Sequence, residues 1–306
     1  MGRIIPLTTP KTWEDHLSYF ILRKKASGIA PRTVRDYQYL IPHFFQAHPD
    51  ALASQEKLAS SVLKYFARDV KPATFNNRRI YLKVFFDYLV NEGVIEKNPI
   101  DFPRRRDDGR ARAVTPEVLR LLLEAPDRKT YTGLRDYCLL LFTLDTGIRP
   151  GEALQLLPDD FDLDTCEVLV REETAKTRRK RTLPLSPQAA FEIQRLLKVR
   201  PREWRGNTPV FCSQDGRPFQ EPSWYQRLRK YGEKIGYKIT PYDLRHSFAI
   251  MYLRNGGNIF ALQRTLGHAD LSMTKRYLAL TQEDLRREHQ KSTPLQQLTG
   301  KRVRRV

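Results

Sequence analysis

Cysteine is scarce in this 306-residue chain: Cys138, Cys166 and Cys212 are its only three, and they stand far apart. Such a set builds no disulfide framework and supplies no zinc site. The six histidines show no His-x-x-x-His or similar metal spacing. Long apolar runs are missing as well, and none approaches the roughly 18–20 residues of a membrane span. The opening "MGRIIPLTTPKTWEDHL" has neither the apolar centre nor the cleavage site of a secretory leader, so an intracellular, cytoplasmic protein is expected. No GxxxxGK[ST] phosphate loop occurs either. These gaps point away from a bound metal, a nucleotide cofactor and secretion.

Positive charge, by contrast, is abundant. Lys+Arg number 54 against 35 Asp+Glu, a formal charge of +19 with a pI near 9.9. The hydrophobic share of 40% and charged share of 29% are ordinary for a globular protein. The excess therefore says nothing about fold. It predicts attraction to a polyanion, nucleic acid first and an anionic membrane surface second.

The length accommodates two domains. Residues 9–97 read as a helical unit. "TTPKTWEDHLSYFILRKKASG" opens on Thr9, Pro10 and acidic residues, then places Trp13, Leu17, Phe20 and Ile21 at helical spacing. "APRTVRDYQYLIPHFFQAH", "QEKLASSVLKYFARDV" and "KPATFNNRRIYLKVFFDYLVNEG" supply three more helices, enough for a small bundle. Residues 98–112, "NPIDFPRRRDDGRAR", read as an exposed basic linker, with Arg104, Arg105 and Arg106 as candidate phosphate contacts. A second domain is expected over 113–290 and a basic tail over 291–306. In that domain "CEVLVRE" and "KRTLPLS" are β-like around a Lys/Arg-rich turn, a small antiparallel hairpin in a helical setting. The fold class is thus mainly α with a small antiparallel sheet, an α+β arrangement.

Four stretches of the second domain carry chemistry-bearing residues. In "TGIRPGEALQL", Gly147 ends one helix and Pro150 suits the start of the next, with Arg149 at the junction and Glu152 three residues on to orient it. In "EETAKTRRKRTLPL", Lys176 falls in the hairpin turn, followed by Arg178, Arg179, Lys180 and Arg181 as candidate DNA contacts. In "TPYDLRHSFAI", Thr240 and Asp243 form a capping box, and Tyr242 and Arg245 share a helix face. His246 is expected on another face. In "LGHADLSMTKRYLAL", Gly267 breaks the chain before His268, and Tyr277 comes nine residues later.

In this order and spacing the four stretches closely resemble the tyrosine recombinases, the family of phage integrases and Xer-type recombinases. The resemblance extends over essentially the whole chain. It implies an N-terminal helical core-binding domain of SAM-like type and a catalytic domain, which together form a C-shaped clamp on DNA. Residue by residue, it implies Arg149 and Arg245 as catalytic arginines, Lys176 as the hairpin lysine, His268 as the late histidine and Tyr277 as the nucleophile. Tyr242 stands where the family usually has the His of H-x-x-R, so the role of that position is open. The implied partner is double-stranded DNA, bound by two protomers per core site and four in a synapse, with no metal and no cofactor. Accessory DNA-bending proteins are left open. The tail beyond Gln290 is a candidate contact to a neighbouring subunit, and the protein is expected in the cytoplasm on the nucleoid.

The chemistry explains the residue types. Attack on a phosphodiester builds charge on its non-bridging oxygens, which guanidinium forks grip bidentately while staying charged at any physiological pH. Tyrosine stores the phosphoester bond for religation without ATP. A type IB topoisomerase would use the same chemistry to relax supercoils. A DNA-binding accessory protein with an impaired site is the rival from another class. The turn residues yield a direct expectation. Alanine at Arg178, Arg179 or Lys180 should weaken DNA binding and lower the slope of log K against log salt by about one for each phosphate left unneutralised. Binding isotherms across a salt series measure that slope, and an unchanged slope would remove these residues from the interface.

Overall fold

The computed structural model describes residues 12–106, 114–204 and 206–275, together with 277, 289–290, 293–295 and 298. The chain divides into two compact units, Met1–Gly109 and Arg110–Val306. Among the described residues, no helix is long and apolar enough to cross a membrane.

The first unit is built from four helices: α1 (Trp13–Ala26), α2 (Pro31–Ala47), α3 (Gln55–Phe66) and α4 (Pro72–Asn91). Thr12 caps α1 in a reciprocal box with Asp15; the expected start at Thr9 and Pro10 lies outside the described residues. Proline opens α2 and α4, where its missing N–H costs no helical bond. Each helix turns aromatic residues inward, although Tyr39 of α2 is exposed. Phe20 meets Tyr37 edge-on at 4.9 Å and 84°, and Phe44 meets Tyr65 at 5.3 Å and 87°. These geometries place the positive edge of one ring on the negative face of the other.

The expected linker, 98–112, is anchored on the first unit over residues 98–106, although Asp101, Pro103, Arg104 and Arg106 are exposed. Ile100 is buried, and Phe102 packs its ring on Phe66 and Phe75 at 5.1 and 5.9 Å. The Asn76 side chain brackets the Arg105 backbone with two hydrogen bonds of 2.8 and 3.0 Å. Arg105 itself donates to the carbonyls of Phe66 and Val70 and lies 4.0 Å over the Phe75 ring. Its guanidinium thus satisfies an orphan carbonyl at the end of α3, whereas Arg104 and Arg106 are exposed. Two apolar residues in a proline-rich stretch are enough to tie it down. Residues 107–113 lie outside the described residues, as does most of the tail, 291–306.

The second unit contains α5 (Pro116–Glu124), α6 (Tyr131–Thr146), the short α7 (Pro150–Ala153), α8 (Pro187–Lys198), α9 (Glu221–Lys234), α10 (Pro241–Arg254), α11 (Ile259–Leu266) and α12 (Ser272–Lys275). The sheet has three strands in antiparallel order β1-β2-β3: β1 (Phe161–Asp162), β2 (Glu167–Val170) and β3 (Arg181–Pro184). The hairpin was expected; β1, two residues long, shows no period and was not. Val168 pairs with Leu183, and both face the core with Val170. Helix α6 is buried on nearly every face. It carries Asp136, fully buried, which accepts from Arg135, Arg227 and Tyr231 at 2.6–2.9 Å. Buried charge is tolerated there because donors surround both oxygens.

Helix α6 ends at Gly147 in the left-handed conformation, φ +62. A Cβ at that position would come within 2.2 Å of the Phe248 ring. Gly147→Ala should therefore cost roughly 2–4 kcal/mol, the left-handed penalty added to over-packing. Urea unfolding would measure this, and a loss below about 0.5 kcal/mol would show that the junction can relax.

Candidate active site

The site is assembled from helix ends. Arg149 is the N-cap of α7, directly after the turn that Gly147 makes possible. Arg245 lies one turn into α10, behind the Thr240–Asp243 capping box. Helix α11 stops at Gly267, φ +60, and releases His268 from the helical path. The last carbonyls of a helix lack intrahelical donors and form the negative end of its dipole, and here they receive guanidiniums. Arg245, 3% exposed, donates to Gly147 O at 2.7 Å and Leu266 O at 2.8 Å. Arg149, also buried, donates to Gly267 O at 2.9 Å.

Glu152 is the hub, and it is 2% exposed. Its Oε1 accepts from Arg149 Nη1 at 3.0 Å and from the Lys176 backbone N–H at 3.1 Å; its Oε2 accepts from Arg181 Nη2 at 2.5 Å. Burial alone would raise its pKa. The hydrogen bond and charge of Arg181, then the charge of Arg149, outweigh burial and hold the carboxyl below its ordinary value. Arg245 is pushed the other way. Burial first, then the neighbouring Arg149, lowers its guanidinium to about 9, with Tyr277 and Glu152 opposing. It is still charged at neutral pH. Three guanidiniums around one carboxylate leave two positive charges in surplus.

Arg245 Nη2 also lies 3.1 Å from His268 Nε2. A guanidinium has no lone pair to offer, so Nε2 accepts, and Nδ1 carries the proton toward Thr274 Oγ1 at 2.8 Å. Tyr277 is 8% exposed in a cluster with Phe248, Ala249, Leu262 and Leu266. Its ring lies parallel to that of His268, at 10° and 6.4 Å. Its hydroxyl lies 2.8 Å from Nδ1 of His246. The expectation that His246 sits on another face is thus overturned: four residues from Tyr242, it falls on the same side of α10.

The remaining expected residues are distributed differently. Lys176 joins the cluster through its backbone while its side chain is exposed in the β2–β3 turn. Arg178, Arg179 and Lys180 are exposed there too, with Arg178 at a left-handed φ of 50. Tyr242 is half-buried, and its hydroxyl makes no hydrogen bond among the described residues. Arg104, Arg105 and Arg106 belong to the first unit. Arg181, expected on DNA, instead bridges Glu152 and Thr265 O (3.1 Å), its guanidinium against Gly267. The signal was available: Arg181 is two residues from buried Leu183, and strand residues two apart share a face.

The chain thus has a helical unit and a mixed unit in which buried guanidiniums surround one carboxylate close to a tyrosine hydroxyl. The chain belongs to the phage integrase family, which matches residues 112–284, and the phage integrase N-terminal SAM-like domain matches residues 17–93. It is 30% identical to tyrosine recombinase XerA of Thermococcus kodakarensis over 282 residues, covering 89% of this chain and 93% of that protein. It is also 30% identical to tyrosine recombinase XerD of Lacticaseibacillus casei over 279 residues, covering 87% and 94%. In fold it is similar to the Tn1549 transposon integrase in complex with transposon right end DNA (TM-score 0.75, 21% identity, covering 92% and 99%). It is likewise similar to the XerH recombinase bound to difH substrate (TM-score 0.64, 24% identity, covering 90% and 83%).

Removing the hub carboxylate should be costly. Glu152→Gln should lower the unfolding free energy by about 3–5 kcal/mol at neutral pH, the range for breaking a buried ion pair from one side. The depressed folded pKa sets the sign of its pH dependence. The contribution is complete above the unfolded value of about 4.3 and is lost as pH falls through the lower folded value. The gap between parent and variant should therefore narrow on acidification, read by urea unfolding down to about pH 3. A gap that holds constant would remove Glu152 from the centre of the network.

Proposed function

We propose that this protein is a site-specific DNA recombinase that cuts and rejoins strands through a tyrosine-bound phosphodiester. The observation that carries the proposal is that Tyr277, 8% exposed, lies with its ring parallel to His268, which accepts from Arg245, whose charge feels both Tyr277 and Arg149. Of the five N–H groups on a guanidinium, the contacts described use two on Arg149 and three on Arg245. Three and two remain for an anion. A scissile phosphate would take up the surplus charge, and more strongly in the transition state, where its non-bridging oxygens gain charge.

Tyr277 Oη attacks phosphorus in line, forming a 3′-phosphotyrosyl bond as the 5′ oxygen leaves. The leaving oxygen needs a proton. Lys176, exposed on the turn but tied to Glu152 through its backbone, is the donor in this reading. Attack by a 5′ hydroxyl of another strand then reverses the chemistry and exchanges partners without an energy source. Both domains contact the duplex, with affinity drawn mainly from phosphates and site choice from a few base edges. Two protomers occupy each core site and four form the synapse. The topoisomerase alternative is not favoured, because the similar curated proteins named above are tyrosine recombinases.

A random library of nicked suicide duplexes, selected for adducts that survive denaturation and then sequenced, would reveal the target. On the enriched duplex, Tyr277→Phe should bind like the parent yet give no adduct. Arg149→Ala should cleave on the order of 10²–10³ more slowly, as when one oxyanion donor is removed. Lys176→Ala should be slow on the ordinary substrate and nearly normal when sulfur replaces the scissile 5′ oxygen, since a thiolate leaves unprotonated. Undiminished adduct with the Phe variant would sink the assignment of Tyr277. Equal Lys176→Ala defects on both substrates would move the acid elsewhere.

A further inference from the structure

We propose that His246 is the base that takes the proton from Tyr277 during attack, a step that rests on the reading of Tyr277 as nucleophile. The 2.8 Å separation of Nδ1 and Oη falls within the range a proton-transfer pair requires. The two rings sit 5.6 Å apart at 49°, so the imidazole edge meets the phenol oxygen while Tyr277 remains packed in its apolar cluster. Helix α10 fixes this geometry, since His246 comes directly after Arg245, which three backbone and side-chain acceptors lock in place.

The other nearby histidine is already committed. His268 takes a hydrogen bond from Arg245 on Nε2 and faces Thr274 on Nδ1, and its ring lies parallel to Tyr277. Its in-plane nitrogens are therefore engaged away from the phenol. Position 242, one turn before His246 on the same face, carries a phenol, which accepts a proton poorly near neutral pH. The imidazole at 246 thus supplies the proton acceptor that position 242 lacks.

In the forward step, Tyr277 O–H passes its proton to Nδ1 of neutral His246 as Oη forms the bond to phosphorus. The bond from phosphorus to the 5′ oxygen breaks, and the leaving oxygen receives a separate proton. On religation the 5′ hydroxyl returns its proton to the group that supplied it, Lys176 in the reading above, as its oxygen bonds to phosphorus and displaces Oη, which recovers its proton from the imidazolium.

The test uses single-turnover adduct formation on the enriched duplex. His246→Ala should slow it by about 10²–10⁴, and His246→Gln, which can hydrogen-bond but cannot carry the proton, should not restore it. Replacing Tyr277 with a fluorinated tyrosine whose phenol ionises near neutral pH removes the need for a base. On that background the His246→Ala defect should shrink to less than about tenfold. Comparing the same substitution on two nucleophiles separates proton transfer from any loss of folding or packing. A His246→Ala protein as fast as the parent, an active Gln variant, or an equal defect on both nucleophiles would overturn the proposal. Adduct formation by Tyr277→Phe would instead overturn the underlying assignment of Tyr277.

Discussion

Everything in the catalytic unit's polar centre hangs on one carboxylate that should not be comfortable where it is. Glu152 is buried, and a carboxylate taken out of water costs several kcal/mol unless charge and hydrogen bonds replace its hydration. Arg149, Arg181 and the Lys176 N–H do so, and each comes from a different part of the chain. The carboxylate therefore joins the start of α7, the hairpin turn and the first residue of β3. The arginines extend the connection: Arg149 reaches Gly267 O and Arg181 reaches Thr265 O, both at the end of α11. Beyond α11 the chain runs to His268 and then to Tyr277. The position of the tyrosine is thus tied, through backbone carbonyls, to an acid far from it in sequence.

The same network leaves the site electrically unfinished. Three guanidiniums against one carboxylate, with helix-end carbonyls softening the repulsion, hold a positive potential among largely buried side chains. Arg245 registers the strain as a lowered pKa, caused first by burial and then by Arg149. A phosphodiester is the kind of group that relieves it, and fixed donors need no reorganisation as charge grows on its oxygens. The chain's overall excess of basic residues acts at longer range and draws DNA in without choosing a site.

The tyrosine and its two histidines divide the remaining labour. His268, fixed between Arg245 and Thr274, stands on the guanidinium side of the cluster. His246 is paired with the Tyr277 hydroxyl. Both are placed by helix geometry, one by the break at Gly267 and one by a single turn of α10. A small change in either helix end would therefore be felt at the Tyr277 hydroxyl.

Local patterns in the sequence carried a good deal of this. The capping box at Thr240 and Asp243, the stops at Gly147 and Gly267, the hairpin around Lys176 and the spacing from His268 to Tyr277 were all legible. They depend on residues within a turn or two of each other, where backbone sterics and capping decide the outcome. The burial of Arg181 could be read from strand alternation, and the shared face of Tyr242 and His246 from helix periodicity, though neither relation names its partner. The docking of residues 98–106 on the first unit, the choice of Glu152 as hub and the pairing of His246 with the phenol were decided only by tertiary structure. Each joins segments whose separation no local period records: the docking is selected by burial of Ile100 and Phe102, the other two by the cost of leaving a buried polar group unpaired once the chain has closed around it.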